Sequence, residues 1–182
     1  MDSELGEIMK KRFTKKVPED KLYQRIVDFL KEQTMCVLST ASPDGVPRST
    51  PLEYYSHGMT LYILCDPGVK VENIKVNPRV SFGIYNDPHP VWTDPHNWAR
   101  NKGAQITGTA KLLSDEQPEY QEGLKHYKWQ IFWTALGRPL DQPPRGRNMI
   151  KIDIQKVEYT EYGLKRDGFA SKQVWITPGY KG

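Results

Sequence analysis

Short apolar runs punctuated by turn residues are what most constrain this chain. The run Met35-Cys36-Val37-Leu38-Ser39-Thr40 is rich in strand formers, and Ser42-Pro43-Asp44-Gly45 supplies turn chemistry directly after it. A returning run over residues 47–55 ends at Ser56-His57-Gly58, and a third over residues 59–65 ends at Asp66-Pro67-Gly68. Three short strands joined by tight turns form an antiparallel meander. Further strands are expected over residues 79–85, 103–113, 149–154 and 157–162, with residues 173–176 as an extension. About six strands at this spacing predict a mainly β protein, a small closed antiparallel barrel with helices plugging its ends.

The helices read from a different period. Pro18-Glu19-Asp20 is a helix start, with a rigid first-turn proline and acids near the positive end of the dipole. Leu22, Ile26, Phe29 and Leu30 then recur at spacings of three and four, which places one apolar stripe on a core. A two-turn helix is expected before Asn77-Pro78, and another from a cap at residues 114–116 through residue 128, with Pro118 in its first turn. Residues 86–102 and 137–147 read as long proline-rich loops. Trp129 and Trp133, four apart, form one helical face packed in a core or a seam between subunits, Trp92 and Trp98 either anchor the first loop or wall a bound ligand, and Trp175 docks the tail on a partner subunit.

At 182 residues the chain is long enough to bury a core without staples. The formal charge of +4 is spread among nearly as many acids as bases, so no basic block points to nucleic acid. No apolar stretch approaches the roughly 20 residues needed to cross a bilayer. Cys36 and Cys65 sit inside apolar runs as buried small hydrophobes, and a soluble cytoplasmic protein is expected. His57, His89, His96 and His126 lack zinc-ligand spacing, and no Ser/His/Asp constellation is visible.

Four segments in order resemble the FMN-binding split barrel of the pyridoxamine 5′-phosphate oxidase superfamily. They are Cys36-Val37-Leu38-Ser39-Thr40 with Pro43-Asp44-Gly45-Val46-Pro47; Pro47-Arg48-Ser49-Thr50-Pro51-Leu52; Leu61-Tyr62-Ile63-Leu64 through Lys70 to Asn77-Pro78-Arg79-Val80-Ser81; and Gly103-Ala104-Gln105-Ile106-Thr107-Gly108-Thr109-Ala110. The resemblance implies a six-stranded Greek-key split barrel over residues 18–162, an N-terminal arm over 1–17 and a tail over 163–182. It also implies a homodimer with FMN in the groove between subunits. Carried over, Arg48, Ser49, Thr50, Pro51 and Leu52 meet the cofactor, Ile63 and Leu64 flank its ring system through their backbone, and Val69 with Lys70 hold its phosphate. An arginine fork, a lysine point charge and hydroxyls suit phosphate.

The departures from the family fall on the cofactor side as well as the substrate side, and the first removes two phosphate contacts, leaving Arg48 and Lys70 with more of the work. Gly68 and Val69 stand where the family has serine and arginine, and Gly103 stands where the oxidases have a glutamine, with Gln105 as the substitute two residues on. The segment Glu161-Tyr162-Gly163-Leu164-Lys165-Arg166-Asp167-Gly168-Phe169 lacks the histidine of the oxidases' C-terminal signature. The resemblance therefore implies an FMN-dependent oxidoreductase of unassigned small-molecule substrate rather than a pyridoxamine-phosphate oxidase. The alternatives are a module on the same barrel that holds flavin, deazaflavin or haem without turnover, and a flavin-free dimeric scaffold that has lost its cofactor site. Tyr54, Tyr55 and His57, near the cofactor strand, are the candidate proton-handling groups.

Overall fold

The structure, a computed structural model, describes residues 3–86 and 95–181. The first helix, α1, spans Ser3–Lys10. Helix α2, Glu19–Glu32, starts after Pro18, whose carbonyl accepts the Leu22 N–H at 2.8 Å. Its stripe of Leu22, Ile26, Phe29 and Leu30 is buried, as the spacing predicts. It plugs the barrel by packing into the same apolar cluster as the strands.

The strands are β1 (Met35–Ala41), β2 (Pro47–Glu53), β3 (Tyr55–His57), β4 (Thr60–Cys65), β5 (Arg79–Tyr85), β6 (Lys102–Leu113), β7 (Asn148–Glu161) and β8 (Lys172–Ile176). Helix α3, Val69–Val76, follows β4. All pairings are antiparallel, in the order β2-β1-β5-β6-β7-β4-β3, with β8 on β7. The six long strands make the expected barrel, and β3 and β8 are short additions. Strands β2 and β4 at the two sides of the curled sheet touch. Among the described residues no hydrogen-bonded ladder joins them, and this gap is the split of the barrel.

The two strands expected over residues 149–162 are one. β7 runs unbroken because its partners change along it: β4 pairs with residues 148–153 and β8 with residues 156–160, while β6 pairs along its whole length. The register of β6 against β7 shifts between Thr107 and Gly108. A Cβ at Gly108 would lie 2.7 Å from the Asp153 carbonyl oxygen, so the close approach at this bulge requires glycine.

The helix expected from residue 114 starts later. The Ser114 N–H is taken by the Gln117 side chain at 2.9 Å, and Pro118, lacking an N–H to satisfy, opens α4 (Pro118–His126). A break at Tyr127 and Lys128 then separates α4 from α5 (Trp129–Ala135). Both helices pack on the outside of β4, β6 and β7, in a second cluster with Tyr62, Leu113 and Met149. Since Leu61 and Ile63 belong to the barrel core, β4 is covered on both faces, which explains its continuous apolar run. Trp129 and Trp133 are buried with rings edge to face at 5.9 Å.

In the first long loop Pro95–Arg100 forms a 3-10 turn in which Trp98 is buried, while Trp92 and His89 lie outside the described residues. A second 3-10 turn, Tyr162–Asp167, leads to β8. The tail folds on its own chain: Trp175 is buried 5.8 Å from Tyr23 of α2, and Gln173 Oε1 accepts the Val17 N–H at 3.2 Å. No helix is long and apolar enough to cross a membrane among the described residues.

Candidate functional site

Residues opposite one another in a β-ladder share a face. Thr40, Leu38 and Cys36 of β1 oppose Arg48, Thr50 and Leu52 of β2, and all three β1 residues are buried. Arg48, Thr50 and Leu52 therefore lie on the barrel side. Ser49 and Pro51, opposite Ser39 and Val37, lie on the outer face, where Ser49 Oγ is 3.0 Å from Ser39 Oγ. The run expected to meet one ligand is thus divided between two surfaces.

Helix α3 is tied to the end of β1 that pairs with Arg48 of β2. The Asn73 amide donates to Thr40 Oγ1 at 3.0 Å, and both residues are 4% exposed. Since Thr40 is the ladder partner of Arg48, this bond sets α3 over the same end of the barrel. Lys70 sits one turn before Asn73, and its ammonium donates to the Asp66 carbonyl at 3.0 Å. Gly68 takes φ 156° at the helix start, where its carbonyl accepts the N–H groups of Val71 and Glu72 at 2.8 and 3.2 Å. The N–H groups of Val69 and Lys70 remain in the open first turn, the usual place for an anion to settle on a helix. Val69 offers little else, since its side chain is exposed.

Beside the split lies a groove of about 340 Å³. Pro51, Leu52 and Leu64 form one wall, Phe132 and Trp133 of α5 form the other, and Arg147 stands at its edge. The Arg147 guanidinium is 3.4 Å from the Asp66 carboxylate, in the turn before α3. Ile63 is fully buried in the barrel core, so only its backbone is available to a ligand. Burial pushes the Tyr127 phenol, at the back of the groove, up to about 12. The α5 wall is the part missed by sequence reasoning. The four-residue tryptophan spacing gives its packed face, but nothing in that spacing says which strands it covers.

Gln105 is elsewhere. It is exposed on the outer face of β6, between Gly83 of β5 and Glu158 of β7, three strands from β2. At ~4.8 Å per strand it is roughly 14 Å from the β2 edge of its own chain. Ser39, Ser81, Gly83 and Thr107 line a shallow cavity with it, together with the charged Glu158.

The candidate proton-handling groups lie off the groove. Tyr54 is fully buried and donates to the Leu30 carbonyl at 2.9 Å, with its phenol pushed up by burial and then by the neighbouring Cys36. Tyr55 packs on Tyr127 at 4.5 Å, and His57 stacks on His126 at 4.2 Å.

A curled antiparallel barrel split between β2 and β4, with an anion-ready helix start at one end of the split, defines the class of this protein. Its sequence matches the pyridoxamine 5′-phosphate oxidase family over residues 22–161, and the chain belongs to that family. No curated protein sequence matches it. Among solved structures it is similar to general stress protein 26 of Bacillus anthracis, with a TM-score of 0.58 and 20% identity, covering 85% of this chain and 98% of the other. It is similar to a FAD-binding protein of Mesorhizobium loti at TM-score 0.55 and 21% identity, over 75% and 91% of the two chains. A haem storage protein of Vibrio cholerae gives TM-score 0.56 and 14% identity, over 85% and 94%. Identities this low establish a shared fold and nothing finer.

Proposed function

We propose that this chain is a cytoplasmic FMN-binding homodimer acting as an oxidoreductase on a small molecule. The observation that carries the reading is the buried Asn73–Thr40 hydrogen bond, because it brings the Lys70 helix start and the Arg48 end of β2 to one end of the split. The phosphate is received by the Val69 and Lys70 N–H groups, the Lys70 ammonium and the Arg48 guanidinium, with the Thr50 hydroxyl on the same face. The ring system lies along Leu52, Leu64 and the Ile63 backbone. When bound, FMN supplies two-electron transfer, and the chain's residues supply placement and access.

The dimer face in this reading is the outer sheet surface. Ser39, Ser49, Ser81, Gly83 and Thr107 keep it low, and Val37 and Tyr85 are exposed there. Low side chains let two sheets approach closely, and Gln105 and Ser49 then serve the groove of the second copy. Haem fits the groove less well. Among the described residues neither His57 nor His126 lines it, so it offers no imidazole ligand.

The test is the absorption spectrum of the purified protein, then reconstitution with FMN and with haemin. Flavin bands and saturable FMN binding are expected. The Arg48→Ala/Lys70→Ala variant should bind more weakly, by roughly 1.5–3 kcal/mol for each charge-assisted contact at most. Colourless protein that takes up no FMN, or a haem band in its place, overturns the cofactor. Unchanged affinity in the double variant overturns the phosphate site, and a monomer in sedimentation overturns the dimer.

A further inference from the structure

A second cavity, of about 620 Å³, opens between the C-terminal ends of α2 and α4 and the β3 hairpin. Five basic side chains from four parts of the chain line it: Lys31 of α2, His57 of β3, Lys125 and His126 of α4, and Lys128 beyond α4. Among the described residues no carboxylate lines it. Neither Lys70 nor Arg48 reaches it, so it is independent of the proposed FMN site.

Helix stability explains part of this charge and no more. The negative end of a helix dipole welcomes a cation in the last turn, which accounts for Lys31 and Lys125. It does not account for His57 on a strand. It opposes Lys128, which stands at the N-terminal end of α5 where the dipole is positive. The nearby acid is Glu122, already engaged 2.6 Å from Lys125 and 3.5 Å from His126. Lys31 and Lys128 have no ion-pair partner among the described residues.

The imidazoles add a specific signature. His57 and His126 stack at 4.2 Å with ring planes 17° apart, and the Tyr62 ring stacks on His126 at 5.8 Å. The other ionisable groups facing the pair are Glu122 and Lys125 of α4, the phenols of Tyr54 and Tyr55, and Lys31 and Lys128 across the cavity.

We propose that this cavity binds a small polyanion through a phosphate group, received by Lys31, Lys128 and the imidazole pair. Lysine ammoniums suit such a group because they act as mobile point charges that need no fixed bidentate geometry. The supply of donors is completed by the hydroxyls of Thr34 and Ser56.

The experiment uses pyrophosphate as probe on the Arg48→Ala/Lys70→Ala variant, so that phosphate binding at the other site does not contribute. Histidine Cε1–H resonances are followed by NMR, and binding heat is measured by calorimetry. Saturable shifts of both His57 and His126 are expected, with a Kd on the order of 1 mM or below. Lys31→Ala/Lys128→Ala, with its fold checked by its amide spectrum, should weaken binding at least about tenfold. No saturable shift, or equal affinity in the lysine variant, overturns the proposal. None of these outcomes bears on FMN, which is followed by its own absorption.

Discussion

Replacing Thr40 by valine isolates the bond on which the proposed site depends. The substitution keeps the shape of the side chain and removes the acceptor of the Asn73 amide, which is 4% exposed and 3.0 Å away. A buried donor left without a partner costs about 1–3 kcal/mol. For a chain of this size 1 kcal/mol moves Tm by roughly 2–4 °C, so a loss near 2 kcal/mol lowers Tm by roughly 4–8 °C. Adding Asn73→Leu in the same chain removes the stranded donor as well, and replacing both partners by apolar groups is close to neutral. The double variant should therefore recover part of the loss, with a coupling of about 1 kcal/mol or more in a double-mutant cycle. Urea unfolding by circular dichroism at one protein concentration measures all four species. FMN affinity should fall in Thr40→Val although Thr40 contacts no ligand, because α3 is no longer held to the Arg48 end of β1. An unchanged Tm for Thr40→Val, or strictly additive effects, refutes the idea that this bond positions α3.

Gly108→Ala places a Cβ 2.7 Å from the Asp153 carbonyl oxygen, a backbone atom that cannot swing aside. A loss of about 1–3 kcal/mol is expected, visible as a lower urea midpoint. Arg25→Met strands the Glu161 carboxylate, which Arg25 holds at 3.2 Å and which also accepts from the Tyr159 hydroxyl at 3.0 Å. Since Arg25 is 42% exposed, the loss should be well short of a fully buried pair, about 1–2 kcal/mol, and Arg25→Lys should restore part of it. Burial raises the Cys36 thiol to about 12 from its ordinary 9.0, so the folded state keeps a proton that the unfolded chain loses above pH about 9. Stability from this group is complete below pH 9 and is lost as the pH rises towards 12, and Tm should decline over that window. In native protein near pH 8, Cys36 should resist thiol reagents that label the unfolded chain at once.

The parts of the fold visible in the sequence are those set by local pattern. The apolar stripe of α2, the turn after β1 and the alternation of β7 each follow from neighbouring residues. The start of α4 does not, because the Gln117 side chain captures the Ser114 N–H and displaces the expected cap. Nor does the continuity of β7, which depends on two partners, β4 and β8, from distant parts of the chain. At the candidate site the basic residues Arg48 and Lys70 were legible through family resemblance. Their shared place at one phosphate came through the same resemblance, but the bond that sets α3 there was not legible, since it depends on Asn73 meeting Thr40 across 33 residues of sequence. The same holds for the division of Arg48–Leu52 between two faces, a matter of register against β1, and for Gln105, which only a second copy could bring to the groove.

Leu113 and Met149 face each other across the β6/β7 ladder. The whole excursion that carries α4 and α5 therefore leaves the barrel and returns to it at a single rung. Its length and composition can change without altering the register of any strand, while the α3 end of the split stays as it is. Descendants of such a chain can exchange the α4–α5 wall of the groove as a cassette. One barrel can in this way keep one end of its split unchanged while the chemistry of the groove beside it is rewritten.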